Sequence, residues 1–295
     1  MAASIPRSIR PDDPRCYART VSHFLRLERK PLPPAAAHDQ AEQFPFSLPA
    51  IRSLVELSFE APVTFFVGEN GSGKSTLLEA VAIAAELVAL GEADLGRDIT
   101  LAPQRALAST LRLIWAPRSR RGFFLRAEDF FGFLKHQGRT DARLVRECRE
   151  ASTGIRPSAP SEGEHVDERA AAHFIAKYDS RSHGESFLDH FERRIEPGGL
   201  YLLDEPEAPL SPTRQMRFLS MLHRYTQQGA QFVIATHSPI LLASPGARIY
   251  DFDRTPIAET DYDSLEHVKV TRHVLEDPER AMEAVHAGDW DVPEE

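Results

Sequence analysis

Residues Gly68-Glu69-Asn70-Gly71-Ser72-Gly73-Lys74-Ser75 fill the pattern G-x-x-x-x-G-K-[ST], and they stand between two apolar runs. The run before them, Val63–Val67, reads as a strand buried on both faces. The run after them, Thr76–Leu90, contains no Gly or Pro and is apolar nearly all round, which reads as a buried helix. A strand, a glycine-rich turn and a helix in that order constrain the fold more than any other part of the chain. The three glycines let the backbone curl so that consecutive N–H groups face inward. Lys74 adds a point charge, and the helix start at Thr76 favours an anion. Ser75 would offer its hydroxyl to Mg²⁺. An accidental glycine-rich turn is the plain alternative, and the two flanking elements argue against it.

A second apolar run, Leu200–Leu203, ends in two carboxylates, Asp204 and Glu205. In a parallel sheet this places both at the carboxyl edge, beside the phosphate loop. Asp204 would hold Mg²⁺ through water, and Glu205 would orient and deprotonate an attacking water, with Pro206 stopping the strand. A third run, Gln231–Ala235, leads to Thr236-His237-Ser238-Pro239. His237 would therefore reach the same edge, where a histidine can donate to a terminal phosphate. A helix is expected at about Thr213–Gln228, with Met216, Leu219 and Leu222 on its apolar side. Strand alternating with helix implies a parallel sheet and an α/β fold.

Composition bounds the rest. With 295 residues, 42% hydrophobic and 27% charged, the chain can bury one substantial core, as one domain with a lobe. No run approaches the roughly 18 apolar residues of a membrane helix, so a soluble protein without direct membrane insertion is expected. The first residues carry no secretory core. Cys16 and Cys148 are too few for a disulfide framework, and a reducing cytoplasm fits best. Residues 1–40 read as an extension leading to an edge strand, with Val21–Leu27 strand-like, and Phe44–Phe59 as short strands. Composition shifts over about 95–195, which reads as an inserted, mainly helical lobe containing a loop at Ala151–Gly163. Residues 282–295 read as an acidic tail. The net charge of −9 argues against wholesale wrapping by nucleic acid. Six arginines (Arg105, Arg112, Arg118, Arg120, Arg121 and Arg126) nevertheless fall between Ile99 and Ala127 with no acidic residue among them. They form either a solvated face or a phosphate-binding one.

Together these residues resemble the ABC ATPase superfamily of P-loop proteins, in which Gly68–Ser75 corresponds to the Walker A loop and Asp204–Glu205 to Walker B. No guanine-reading [NT]KxD element is present. Ser182-His183-Gly184-Glu185-Ser186 lies 22 residues before Asp204 and precedes a helical pattern of Phe187, Leu188, Phe191 and Ile195. By this resemblance Ser182, Gly184 and Glu185 belong to the ABC signature, which binds the γ-phosphate held by a second subunit. The usual Leu-Ser-Gly-Gly-Gln is replaced here. No glutamine follows a suitable strand at the Q-loop position. Arg126, 52 residues after Lys74, or Glu128 stands in for it, with core packing of Phe123, Phe124, Phe130 and Phe131 as the alternative reading of this stretch. Gln104 is a rival only 30 residues after Lys74. Phe46 lies where transporter subunits carry an adenine-stacking aromatic, and it is equally suited to a core.

The resemblance spans roughly residues 41–280 and implies an ATPase domain over 41–281, ATP and Mg²⁺ as cofactors, and a homodimer closed by ATP. Glu205-Pro206-Glu207, with Leu210-Ser211-Pro212, looks like soluble ABC ATPases related to RecF and the overcoming-lysogenization-defect proteins. That form and the arginine stretch imply work in DNA maintenance or defence, with DNA or an effector protein as partner. The rivals are the nucleotide-binding subunit of a transporter with a separate permease, and an ATP-sensing component of a complex.

Overall fold

The computed structural model describes residues 23–31, 42–90, 95, 98–116, 118–127 and 183–288. Its main sheet has seven strands in the order β10-β9-β3-β8-β7-β6-β4, built from β3 (Val63–Val67), β4 (Val88–Ala89), β6 (Gly122–Arg126), β7 (Leu200–Asp204), β8 (Gln231–Ala235), β9 (Arg248–Asp251) and β10 (Ala258–Glu259). All pairs are parallel except the edge pair β9–β10, which gives the mainly parallel α/β sheet expected from the sequence. A second, antiparallel sheet has the order β2-β1-β5, from β1 (Phe24–Arg29), β2 (Glu56–Ser58) and β5 (Leu111–Trp115).

The central strands are buried on both faces, so their side chains divide with period two between two cores. Leu200 and Leu202 of β7 face the first core, Tyr201 and Leu203 the second. The first core includes α1 (Pro49–Ser53), α2 (Lys74–Ala85), α3 (Ala102–Thr110) and the small sheet. Gln231, 1% exposed, ties the sheets together: its Oε1 accepts the Phe24 N–H at 2.9 Å and its Nε2 donates to the Phe24 carbonyl at 2.8 Å. The second core is covered by α4 (His183–Glu192), α5 (Pro212–Thr226), α6 (Pro239–Leu242) and α7 (Glu266–Glu276), with Phe187, Phe218, Leu241 and Val268 packed in it.

Several boundaries differ from the sequence reading. The first strand is the centre of the small sheet, not an edge, and Val21 lies outside the described residues. Residues 49–53 are helical, with Pro49 at the first turn, where a missing N–H costs nothing. Helix α2 stops at Ala85 because Glu86 turns left-handed at φ 60°, freeing Val88–Ala89 to pair with β6. In α5 the buried positions include Phe218, Met221 and Leu222, whereas Met216 is exposed. Strands β5 and β6 fall inside the interval 95–195, so its first part belongs to the two sheets. Residues 128–182, including the loop at Ala151–Gly163, lie outside the described residues. Residues 278–287 form α8 (Pro278–Ala287), so the proposed tail is helical at its start.

Gly122 starts β6 opposite Leu200 with φ 130°. A Cβ there would sit 1.8 Å from the Leu200 carbonyl oxygen. Gly122→Ala should therefore break the β6–β7 pairing at its origin and lower stability by about 3 kcal/mol or more. Thermal denaturation checks this, and an unchanged midpoint would contradict the close approach.

Candidate nucleotide-binding site

Four parallel strands deliver the candidate residues to one edge of the sheet. β3 runs into the loop Gly68–Gly73, β6 ends at Arg126, β7 at Asp204 and β8 at Ala235. The register sets Arg126 beside Asp204, and Asp204 beside Ala235. In the loop, Gly68 and Gly73 have φ of 137° and 106°. A Cβ on Gly68 would lie 3.0 Å from Asp253 Oδ1, and one on Gly73 would lie 3.2 Å from Leu48 Cδ1. Helix α2 begins directly after Gly73 with no acidic residue in its first turn and, among the described residues, no side chain capping it. Its partial positive charge is thus left to an incoming anion. Glu69, Asn70 and Gly71 are exposed at the lip, while Ser72 and Thr76 are half-buried.

Lys74 is 5% exposed, and its Nζ donates to the Gly68 carbonyl at 2.6 Å and the Glu69 carbonyl at 2.8 Å. Burial pushes its pKa down, against the opposing pull of Asp253, Glu205, Asp204 and Glu207. Ser75 Oγ donates to Asp204 Oδ1 at 2.9 Å. Burial raises the Asp204 pKa, while the Ser75 hydrogen bond and Arg126 act the other way. Ser75, Arg126, Ala127, Asp204, Glu205 and Ala208 line a pocket of about 300 Å³. Glu205 is exposed there. Its backbone adopts φ 48°, an unusual value for a residue with a side chain, and its N–H is held by the Ala235 carbonyl at 2.9 Å.

His237 is half-buried, and its Nε2 is enclosed and makes no hydrogen bond among the described residues. Burial lowers its pKa and the charge of Lys74 lowers it further, against the pull of Glu205 and Asp253, which favours the neutral imidazole. Ser72 Oγ is likewise enclosed without a partner among the described residues. Polar atoms so placed beside a phosphate-type loop suit a polyanion that accepts hydrogen bonds.

Two carboxylates at the site, Asp253 and Glu79, escaped the sequence reading, and a third, Glu207, entered it only as part of the Glu205-Pro206-Glu207 form. Glu207 Oε1 accepts from Thr236 Oγ1 at 2.7 Å and from the His237 N–H at 2.8 Å, fixing the turn that carries the histidine to the segment after Glu205. Asp253 accepts the Glu69 N–H through both oxygens at 2.9 Å and so holds the entry of the phosphate loop. Glu79, 2% exposed in α2, is ion-paired with Arg126 and accepts from Gln104 Nε2 at 3.0 Å. The interruption of an apolar helix by Glu79 is a signal visible in sequence. Gln104 is thus linked to the pocket through Glu79 and Arg126. Phe46, 4% exposed, packs in the first core beneath the Arg29 guanidinium, 5.5 Å from its ring centre. Core packing wins there. Phe123 and Phe124 are core residues as well, on opposite faces of the sheet. Ser182, Glu128, Phe130 and Phe131 lie outside the described residues, and Gly184 and Glu185 fall in the first turn of α4.

The hemin import ATP-binding protein HmuV of Pseudomonas aeruginosa is 30% identical over 190 residues, which are 60% of this chain and 67% of that one. The chain belongs to the ABC-type ATP-binding proteins. A family profile described as "AAA domain, putative AbiEii toxin, Type IV TA system" matches residues 186–243, and an "AAA domain" profile matches residues 47–86. An ATP-binding cassette of an ABC transporter in its ADP conformation is 19% identical, covering 90% of this chain and 99% of that one, with a TM-score of 0.46. The SMC head domain from Thermotoga maritima is 16% identical, covering 70% of this chain and 92% of that one, with a TM-score of 0.32. Scores this low carry no weight beside the curated relative and the residues of the site. Among the described residues of this ABC-type protein, no helix is long and apolar enough to cross a membrane.

Proposed function

We propose that the chain binds ATP with Mg²⁺ in this pocket, hydrolyses it with Glu205 as the base, and does so as a head-to-tail homodimer working in DNA maintenance or defence. The observation that carries the hydrolytic part is the pairing of Ser75 Oγ with Asp204 at 2.9 Å on the wall of a pocket onto which Glu205 also opens. A serine hydroxyl and a carboxylate are hard oxygen donors. Two of them, with phosphate oxygens and waters completing the shell, suit Mg²⁺. Bound there, Mg²⁺ would neutralise charge on the β- and γ-phosphate oxygens.

The chain's own residues do the remaining work. The loop N–H groups and the start of α2 cradle the phosphates, and Lys74 trades its two carbonyl partners for phosphate oxygens. Glu205, exposed and fixed by its backbone, takes a proton from the attacking water. His237, neutral, donates an N–H to the terminal phosphate, with Glu207 setting its position. Arg126 takes the place of the Q-loop glutamine. The first turn of α4, with Gly184 and Glu185, serves the ATP held by the second subunit.

The DNA or defence reading is supported by the Glu207–Pro212 form and by the toxin-type family description, which belongs to the matched family. The arginine stretch supports it less, because its members have local partners. Arg118 pairs with Glu86, Arg121 with Glu196 and Arg112 with Glu28, and Arg105 donates to the Asp98 carbonyl. The second reading, a transporter's nucleotide-binding subunit, is favoured by the name of the curated relative. Phosphate release measured with and without double-stranded DNA at low salt separates them. A DNA-stimulated rate that falls with salt, and falls again on charge reversal at Arg118, Arg120 and Arg121, fits the first reading. An unaltered rate, with a membrane permease co-purifying, fits the second.

A further inference from the structure

Beside the Ser75–Asp204 pair the pocket already holds a cation of the chain's own. Arg126 leaves β6 in register with Asp204, and its Nε lies 3.4 Å from Asp204 Oδ2. A terminal nitrogen of the same guanidinium is ion-paired with Glu79 Oε1. Glu79 is one helical turn beyond Ser75 on α2, with its side chain 3% exposed, and Gln104 donates to its other oxygen. A carboxylate buried that deeply stays ionised only against a cation, so Glu79 clamps the arginine in place. Asp204 is thereby shared. It is the carboxylate that would hold Mg²⁺, and a guanidinium already lies against it. Two cations on one buried carboxylate repel each other at close range, and each weakens the other's hold.

We propose that Arg126, positioned by Glu79, is a resident counter-ion for the terminal phosphates of ATP and competes with Mg²⁺ for Asp204, so that this site takes ATP with only weak dependence on Mg²⁺. The proposal rests on reading the pocket as an ATP site. An entering triphosphate offers Arg126 oxygens that are more highly charged than a single carboxylate, and a planar guanidinium suits them. Glu79 reaches neither ATP nor metal in this scheme. It is a positioning residue that acts through Arg126.

The test is equilibrium binding of a fluorescent ATP analogue, with Mg²⁺ and with EDTA, to the wild type, R126Q, E79Q, the double variant E79Q/R126Q, and K74A. Removing Mg²⁺ should weaken binding to the wild type by less than about threefold, and to R126Q by about tenfold or more, the size of one lost charge-assisted hydrogen bond. In a Mg²⁺ titration at fixed analogue, R126Q should also reach its midpoint at lower Mg²⁺. E79Q, whose arginine is no longer clamped, should fall between the two. The double variant removes both charges of the ion pair and keeps amide hydrogen bonding. It should follow R126Q, and it serves where R126Q alone, with Glu79 unpaired, does not fold. Equal Mg²⁺ dependence in the wild type and the double variant would overturn the proposal and leave the ATP reading standing. A wild type that binds no more analogue than K74A would remove the ATP reading and the proposal with it.

Discussion

Replacing Glu205 with glutamine should leave ATP bound, uncleaved and shared between two copies of the chain. The carboxylate is exposed on the pocket wall, while the backbone that presents it is anchored by the Ala235 carbonyl, so the amide inherits the same position without basic character. Loss of a positioned base lowers the rate of proton abstraction by about 10²–10⁴-fold. Binding should not suffer. The groups that face the phosphates, namely the loop N–H groups, Lys74 and Ser75, make no hydrogen bond to the Glu205 side chain among the described residues. Removing one negative charge from a pocket that also holds Asp204 favours a polyanion. If the closed state is a head-to-tail dimer, it should accumulate because its exit through hydrolysis is closed. Sizing chromatography with saturating ATP should move the variant to the dimer position, and phosphate release should fall by at least about a hundredfold. A variant that stays monomeric with ATP bound would sink the dimer. One that hydrolyses at the wild-type rate would sink Glu205 as base.

How far the chain can be read without its structure depends on where each residue finds its partners. Strands β3, β7 and β8 are legible because continuous apolar runs of that length, bounded by turn residues, suit central strands of a parallel sheet. Helix α1 was hidden because Pro49 and Ile51 sit among breaks that also fit short strands. Strand β5 was hidden because Arg112, which reads as part of a basic face, pairs with Glu28 across the small sheet. The site divides in the same way. Gly68–Ser75 is one continuous loop whose geometry its own glycines require, so local pattern reveals it. Asp253 and Glu79 look like ordinary surface or helix acids, and Glu207 is legible only as part of a form, because the role of each depends on a backbone N–H or an arginine far away in sequence. Arg126 lies between these cases. Its place after an apolar strand is legible, whereas its ion pair with Glu79 follows from the packing of α2 against β6.

Lys74→Ala should abolish the stabilisation of the protein by ATP while leaving the free protein folded. In the free state the ammonium is nearly enclosed, and among the described residues its hydrogen bonds go to two carbonyls of the loop, those of Gly68 and Glu69. Those carbonyls can turn to water when the lysine is gone. Four surrounding carboxylates sustain its charge against the cost of burial, and their field is ill suited to a polyanion once the lysine is removed. One charge-assisted hydrogen bond lost to phosphate costs about 1.5–3 kcal/mol, or roughly ten- to a hundredfold in affinity, and Lys74 can make more than one. At ATP about a hundredfold above its dissociation constant, the wild type gains about 2.7 kcal/mol, a shift of several degrees for a chain of this size. The variant, with affinity lowered to near the ATP concentration, should shift by about one degree or less. Its midpoint without ATP should stay close to the wild type, which separates loss of the ligand from loss of the fold. An undiminished shift in the variant would mean that ATP does not bind through this loop, and the roles given to Ser75, Arg126 and Asp204 would fall with it.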